Sequence, residues 1–289
     1  MVAVRKLACV VVVSLAVALL APHRPVDAAT DEHGTSGTSL FAQSAAEVLR
    51  REFSDPDVSF LLLDARSGQV VASRWENPEL PIPLGSLAKP FTALAYGEQH
   101  DFHYPAHVCL GTASGCWRPA GHGTVDLTSA IAFSCNSYFR MLTENLDAKD
   151  VYATAGRFRI DPPDPEAEGT ALAGVGSQWR VAPLHMARAY IELSRERDHP
   201  AVQQILNGMA KSARLGTGAE VARALPGSRV LVKTGTAPCT HARHATGDGF
   251  AIVMLPAEDP KTLLMVRVHG VPGSQAAKTA GQILRRIQE

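Results

Sequence analysis

The chain has no excess of either charge: 28 Lys and Arg stand against 28 Asp and Glu in 289 residues. The basic residues are scattered rather than gathered into a stripe. That excludes an electrostatic footprint for nucleic acid or an anionic surface. Cysteine is scarce, with five in all and no C-x-x-C pair, so neither a thioredoxin-like redox motif nor a common zinc-ribbon spacing is present. No internal repeat or low-complexity run is evident, which excludes a solenoid. One long apolar run exists, Leu7 to Ala21, and it is short for a spanning helix. With Arg5 and Lys6 before it and Val26-Asp27-Ala28 after it, the run reads as a secretory signal over residues 1–28. An uncleaved membrane anchor is the alternative. Residues 29–39 read as a Gly/Ser/Thr tether, and 40–289 remain for one sizeable domain working outside the cytoplasm.

Four cysteines lie beyond the signal. In an oxidising compartment an even count invites pairing. Cys109 and Cys116 share one Gly-containing loop and form the candidate disulfide. Cys135 and Cys239 read as buried free thiols. His241 and His244 are read as loop residues, so no metal and no cofactor is expected.

Three short strings carry the chemistry, and each occurs once: Ser86-Leu87-Ala88-Lys89, Ser134-Cys135-Asn136 and Lys233-Thr234-Gly235. A serine hydroxyl is a weak nucleophile at neutral pH and needs a base beside it. The segment Pro83–Gln99 reads as a helix start with Pro90 in its first turn, where a missing N–H costs little. Residues i and i+3 share a helix face, so the Lys89 amine can reach the Ser86 hydroxyl. Burial lowers a lysine's proton affinity and turns it into a base. Ser134-Cys135-Asn136 follows a short predicted helix over Asp126–Phe133. Ser134 can pass a proton and Asn136 can donate to a substrate amide. Lys233-Thr234-Gly235 follows the β-branched run Ser228–Val232 and sits on a predicted edge strand. There a cation and a hydroxyl suit a carboxylate, Gly235 permits close approach, and the Thr236 N–H can pair with that of Ser86 as an oxyanion hole. Each string alone also occurs in ordinary turns and helix starts. The ordered conjunction of all three carries the reading.

Together the strings match the S-x-x-K, S-x-N and K-T-G elements of serine acyl-transferases that react with penicillin. Flanking residues extend the likeness. Gly121-His122-Gly123, Asp126-Leu127, Ala130-Ile131 and Tyr138-Phe139 resemble the second-motif region of class B penicillin-binding proteins. Gly174-Val175-Gly176, Pro183-Leu184 and Ala187-Arg188-Ala189-Tyr190 resemble the segment before the third motif, and Pro90-Phe91 and Thr236-Ala237 fit as well. The resemblance runs from about Val58 to the C-terminus. It implies peptidoglycan stem peptides as substrate, β-lactams as covalent ligands, and D,D-transpeptidase or D,D-carboxypeptidase activity. It lacks the pedestal that precedes the transpeptidase part in that family, which argues against a housekeeping role in septation or elongation.

Deacylation separates the alternatives. Glu166 and Glu168 lie in an acidic loop but without the E-x-x-L-N pattern of class A β-lactamases. Asn136 stands where class D enzymes carry an apolar residue, and Thr236 where they usually carry an aromatic. A class D-like β-lactamase is therefore the second reading, and a β-lactam or muropeptide sensor that acylates once is the third.

The expected fold is α/β of the α+β type. Five strands, at Val58–Leu63, Gln69–Trp75, Val230–Thr234, Phe250–Leu255 and Thr262–Val268, should form one antiparallel sheet. Helices over Leu40–Phe53 and Ser274–Gln288 should flank it. A mostly helical subdomain over about 87–224 should be inserted, with the site at the seam.

Overall fold

A computed structural model describes residues 40–239 and 247–288. The expected signal and tether, and His241 and His244, lie outside the described residues. No described helix is long and apolar enough to cross a membrane.

The chain opens with helix α1 (Leu40–Glu52), then strands β1 (Val58–Asp64) and β2 (Val70–Arg74). Strand β3 (Ile82–Pro83) leads through a 3₁₀ turn at Gly85–Ala88 into α2 (Lys89–Gln99). A short ribbon, β4 (His107–Cys109) and β5 (Gly123–Val125), precedes α3 (Leu127–Ala132), α4 (Asn136–Leu142), α5 (Ala148–Phe158) and α6 (Gly169–Leu172). Strand β6 (Arg180–Val181) pairs with β3, and α7 (Pro183–Arg195), α8 (Pro200–Leu215) and α9 (Ala219–Ala224) complete the inserted part. Strands β7 (Leu231–Ala237), β8 (Asp248–Leu255) and β9 (Thr262–His269) and helix α10 (Gly273–Gln288) close the chain.

The main sheet has the order β2-β1-β9-β8-β7, and every described pairing in it is antiparallel. The expected fold class is therefore the observed one. Strand β1 shows why its sequence is a nearly continuous apolar run. Phe60 and Leu62 pack with the α1 and α10 layer, through Leu49, Ala280 and Ile283. The alternate residues Leu61 and Leu63 pack into the helical insert, with Phe91, Ile191 and Met265. A strand buried on both faces loses the polar half of the period-2 pattern. Helix α10 covers the outer face with Ala276, Ala277, Ala280, Ile283 and Leu284, a stripe at i, i+1, i+4, i+7 and i+8.

Strand β7 is the free edge of the sheet, as the third motif requires, but it extends past the expected limit at Thr234 to Ala237. Lys233, Thr234, Gly235 and Thr236 all lie within the strand rather than at its tip. Ser86 also differs in detail from expectation. It sits in the 3₁₀ turn, with Lys89 and Pro90 opening α2 behind it.

Candidate active site

Alternation along β7 sets the first side chain. Val232 joins the core beneath α10 and Leu231 joins the core of the insert. Lys233, two residues after Leu231, therefore points toward the insert. There its Nζ lies 3.0 Å from Ser134 Oγ and 2.7 Å from the Thr234 carbonyl, to both of which it donates. Thr234 turns the other way, and its hydroxyl donates to Thr217 Oγ1 at 2.6 Å.

Ser134 occupies a position that usually takes glycine. It follows α3 with φ +50°, in the left-handed region. The Cys135 N–H donates to the Ala130 carbonyl and the Ser134 N–H to that of Ile131. This is the Schellman arrangement, with Ser134 at the C′ residue. A non-glycine residue there costs about 1–2 kcal/mol. The Ser134 carbonyl in turn accepts from Lys89 Nζ at 3.0 Å and from Trp117 Nε1 at 3.1 Å. Strain at a polar residue held by three flanking groups is the pattern of a functional position. Two variants isolate it. Both Ser134→Ala and Ser134→Gly delete the hydroxyl, but only glycine relieves the backbone. Ser134→Gly should be the more stable by about 1 kcal/mol in urea unfolding. Equal stabilities would show that the left-handed turn stores no strain.

Asn136, the first residue of α4, turns its side chain back toward Lys89, whose Nζ donates to Asn136 Oδ1 at 2.6 Å. Lys89 is fully buried. Burial brings its pKa down to about 7 against the opposing pull of the Cys135 and Cys116 thiols, with the Arg140 charge adding to the fall. Lys233 is likewise buried, and its pKa is driven well below the ordinary lysine value by burial and then by the charge of Lys89. Both amines bond to Ser134 from a dry environment, so they disfavour charging together. An arriving carboxylate would favour the charge on Lys233 and leave Lys89 neutral.

The Ser86 segment lies against the free edge of β7. Gly85 has φ +56°, and a Cβ there would stand 2.2 Å from the Thr236 carbonyl oxygen and 3.2 Å from its nitrogen. A Cβ on Gly235 would stand 2.5 Å from the Leu84 carbonyl oxygen. The edge backbone of Thr236 and the backbone of Ser86 are thus neighbours, as an oxyanion hole made from both would need. Tyr190 donates to the Leu87 carbonyl at 2.8 Å and steadies the turn from α7.

The structure brings Ser86, Ser134, Asn136, Thr234, Gly235 and Thr236 to one cleft of about 190 Å³, with Lys89 and Lys233 buried behind it. Other lining residues lie outside the sequence motifs, among them Pro272, Gly273 and Ser274 at the start of α10, Thr217 and Trp117. Thr217 comes from the loop after α8 and carries no local signature. Trp117 is half exposed at the rim, fixed by its indole bonds to the backbone of the second motif.

The expected Cys109–Cys116 disulfide is not formed: both are buried thiols, as is Cys135, which matches its expected state, while Cys239 is half-buried and in no disulfide. Cys116 is nearer to Cys135 than a loop-local pair implies, with 3.9 Å between sulfurs, and Cys109 and Cys116 each stand 3.5 Å from His122 Nδ1. The ribbon β4–β5 folds the loop onto the second-motif turn, so the thiols gather as a group of three with a histidine. Cys239 is elsewhere, grouped with Asp248 and His269.

The profile of the penicillin binding protein transpeptidase domain matches residues 58–289. The chain belongs to that family. Solved structures share the fold at low identity. PBP2 of Pseudomonas aeruginosa, in complex with WCK 5153, is 18% identical, with 86% of this chain and 73% of that one covered and a TM-score of 0.69. The transpeptidase domain of Burkholderia pseudomallei penicillin-binding protein 3 is 17% identical, with coverages of 87% and 92% and a TM-score of 0.65. Penicillin-binding protein A of M. tuberculosis, as a ceftriaxone acyl-enzyme complex, is 18% identical, with coverages of 86% and 77% and a TM-score of 0.64. No curated protein matches the chain at a significant level.

Proposed function

We propose that this transpeptidase-family domain is a serine acyl-transferase of peptidoglycan stem peptides, a D,D-transpeptidase or D,D-carboxypeptidase, which β-lactams acylate at Ser86. The observation that carries the reading is the pair of buried amines, Lys89 and Lys233, converging on Ser134 beside Ser86. Ser86 Oγ attacks the carbonyl of the penultimate D-residue, and its proton passes to neutral Lys89. The oxyanion sits between the N–H groups of Ser86 and Thr236. The C–N bond breaks, and the leaving nitrogen takes a proton from the Ser134 hydroxyl, which Lys89 resupplies. Because Ser134 Oγ accepts from Lys233, its own hydrogen is free to be given away. Lys233 and Thr234 receive the substrate carboxylate. An acceptor amine or water then resolves the acyl-enzyme.

The contact between Lys89 and Asn136 favours this reading over a class D-like β-lactamase. A short bond to an amide oxygen occupies the amine that such an enzyme carboxylates to activate its deacylating water. The ceftriaxone acyl-enzyme of the mycobacterial structure is the corresponding adduct in a protein of the same fold. With an export segment over 1–28, the domain would act outside the cytoplasm, and an uncleaved segment would tether it to the membrane.

Intact-mass measurement after penicillin exposure, followed for hours, should show one adduct that decays slowly. A stem-peptide mimic should release D-alanine, and a chromogenic cephalosporin should turn over poorly. Rapid multiple turnover of the cephalosporin with no D-alanine release would replace this reading by a β-lactamase. A stable adduct with no peptide turnover would replace it by a sensor.

A further inference from the structure

The group formed by Cys109, Cys116, His122 and Cys135 takes no part in the chemistry above, yet its geometry is specific. The three sulfurs and a ring nitrogen all lie within 4.8 Å of one another. A tetrahedral zinc ion has bonds of about 2.3 Å to sulfur and about 2.0–2.1 Å to nitrogen, so its ligand sulfurs sit about 3.8 Å apart and sulfur and nitrogen about 3.5 Å apart. Three of the six edges match these values, at 3.9 Å for Cys116 to Cys135 and 3.5 Å for each of Cys109 and Cys116 to His122 Nδ1. Three buried thiols and one half-buried imidazole, with no carboxylate among them, make a soft donor set.

The ring of His122 is fixed for this purpose. It stacks on Phe133 with centroids 5.5 Å apart and planes 11° apart, and Trp117 meets it edge-on at 5.5 Å. Its Nε2 is buried without a hydrogen-bond partner among the described residues. The polar contacts of the ring among those residues are therefore the ones to the sulfurs. Ordinary thiol–imidazole hydrogen bonding does not account for three cysteines collected from three separate places: the end of β4, the following loop, and the turn between α3 and α4.

We propose that Cys109, Cys116, His122 and Cys135 bind one zinc-class divalent cation in a tetrahedral Cys₃His site. The three thiols lose their protons on binding, and neutral His122 ligates through Nδ1. Cys135 is the middle residue of Ser134-Cys135-Asn136, so the ion ties the left-handed turn at Ser134 to the β4–β5 ribbon. The role is positional, and no substrate atom meets the metal.

The test uses the full chain, purified without added reductant or chelator. Elemental analysis should find about one zinc per chain. Cobalt(II) exchanged into the protein should give the visible bands of a tetrahedral ion together with thiolate-to-cobalt charge transfer. Cys116→Ser should lower the zinc content well below half an equivalent, whereas His122→Cys should keep it by supplying a fourth thiolate. Thiol counting of the denatured, unreduced chain should find every cysteine reactive once the metal is removed. A chain without zinc whose thiols all react freely in the folded state would overturn the proposal. So would two thiols missing from the count, which would mean a disulfide. Zinc kept by Cys116→Ser without the charge-transfer band would place the metal elsewhere and overturn it equally. Should Cys116→Ser fail to fold, the cobalt spectrum of the unaltered chain decides alone.

Discussion

Ser86→Ala should leave no covalent penicillin adduct at any exposure time, by intact mass or by fluorescent-penicillin labelling. The expected loss is total because, in the proposed mechanism, the deleted oxygen is the one that bonds to the drug. Ser134, the second hydroxyl near an amine, sits in a strained turn with its oxygen already accepting from Lys233. The fold should be indifferent to the change. Ser86 is partly exposed in the 3₁₀ turn, and no hydrogen bond ties its hydroxyl to another described residue. Tm should therefore move by no more than roughly 2 °C. Equal labelling of the variant and the unaltered chain would place the nucleophile elsewhere. Labelling of neither would remove β-lactam acylation from the account altogether.

The sequence is legible where local chemistry and tertiary structure agree. The apolar run at Val58–Leu63 becomes β1 because both of its faces are covered. Pro90 marks the first turn of α2 because only there does a missing N–H cost nothing. The three motifs are readable because each is a short string of chemically distinctive residues, and their order along the chain is itself a pattern. What stays hidden depends on contacts between distant segments. Thr217 reaches Thr234 only because the loop after α8 returns to the sheet edge. The thiols look like a loop-local pair in the sequence because chain distance favours Cys109 with Cys116. Cys135 joins them only once α3 is stacked against the ribbon. Lys233 looks like a carboxylate-binding cation alone. Its bond to Ser134 Oγ depends on how deeply β7 sits against the second-motif turn, which no local pattern records.

Lys89→Ala should slow acylation at saturating penicillin by about two to four orders of magnitude, the usual loss on removing a general base. The pH profile identifies the base more sharply than the size of the loss. Burial brings the Lys89 amine down to about 7, and only its neutral form can take a proton from Ser86. Below that pH the amine is protonated and the limiting acylation rate should fall about tenfold per unit. Above it the rate should level off. Lys89→Ala should lose this rise along with the rate. Lys233→Ala makes the contrast. It removes the cation proposed to meet the ligand carboxylate, so a higher ligand concentration should be needed for half-maximal labelling. It also frees Ser134 Oγ from its donor, so the limiting rate should drop, but by less than in Lys89→Ala, and the rise through about 7 should persist. The two amines share Ser134, so their effects should not add in the double variant. If Lys233→Ala abolishes acylation at saturation while Lys89→Ala retains it, the roles of the two lysines are reversed. A profile flat from about pH 5.5 to about 8.5 in the unaltered chain would mean that neither amine titrates as the base.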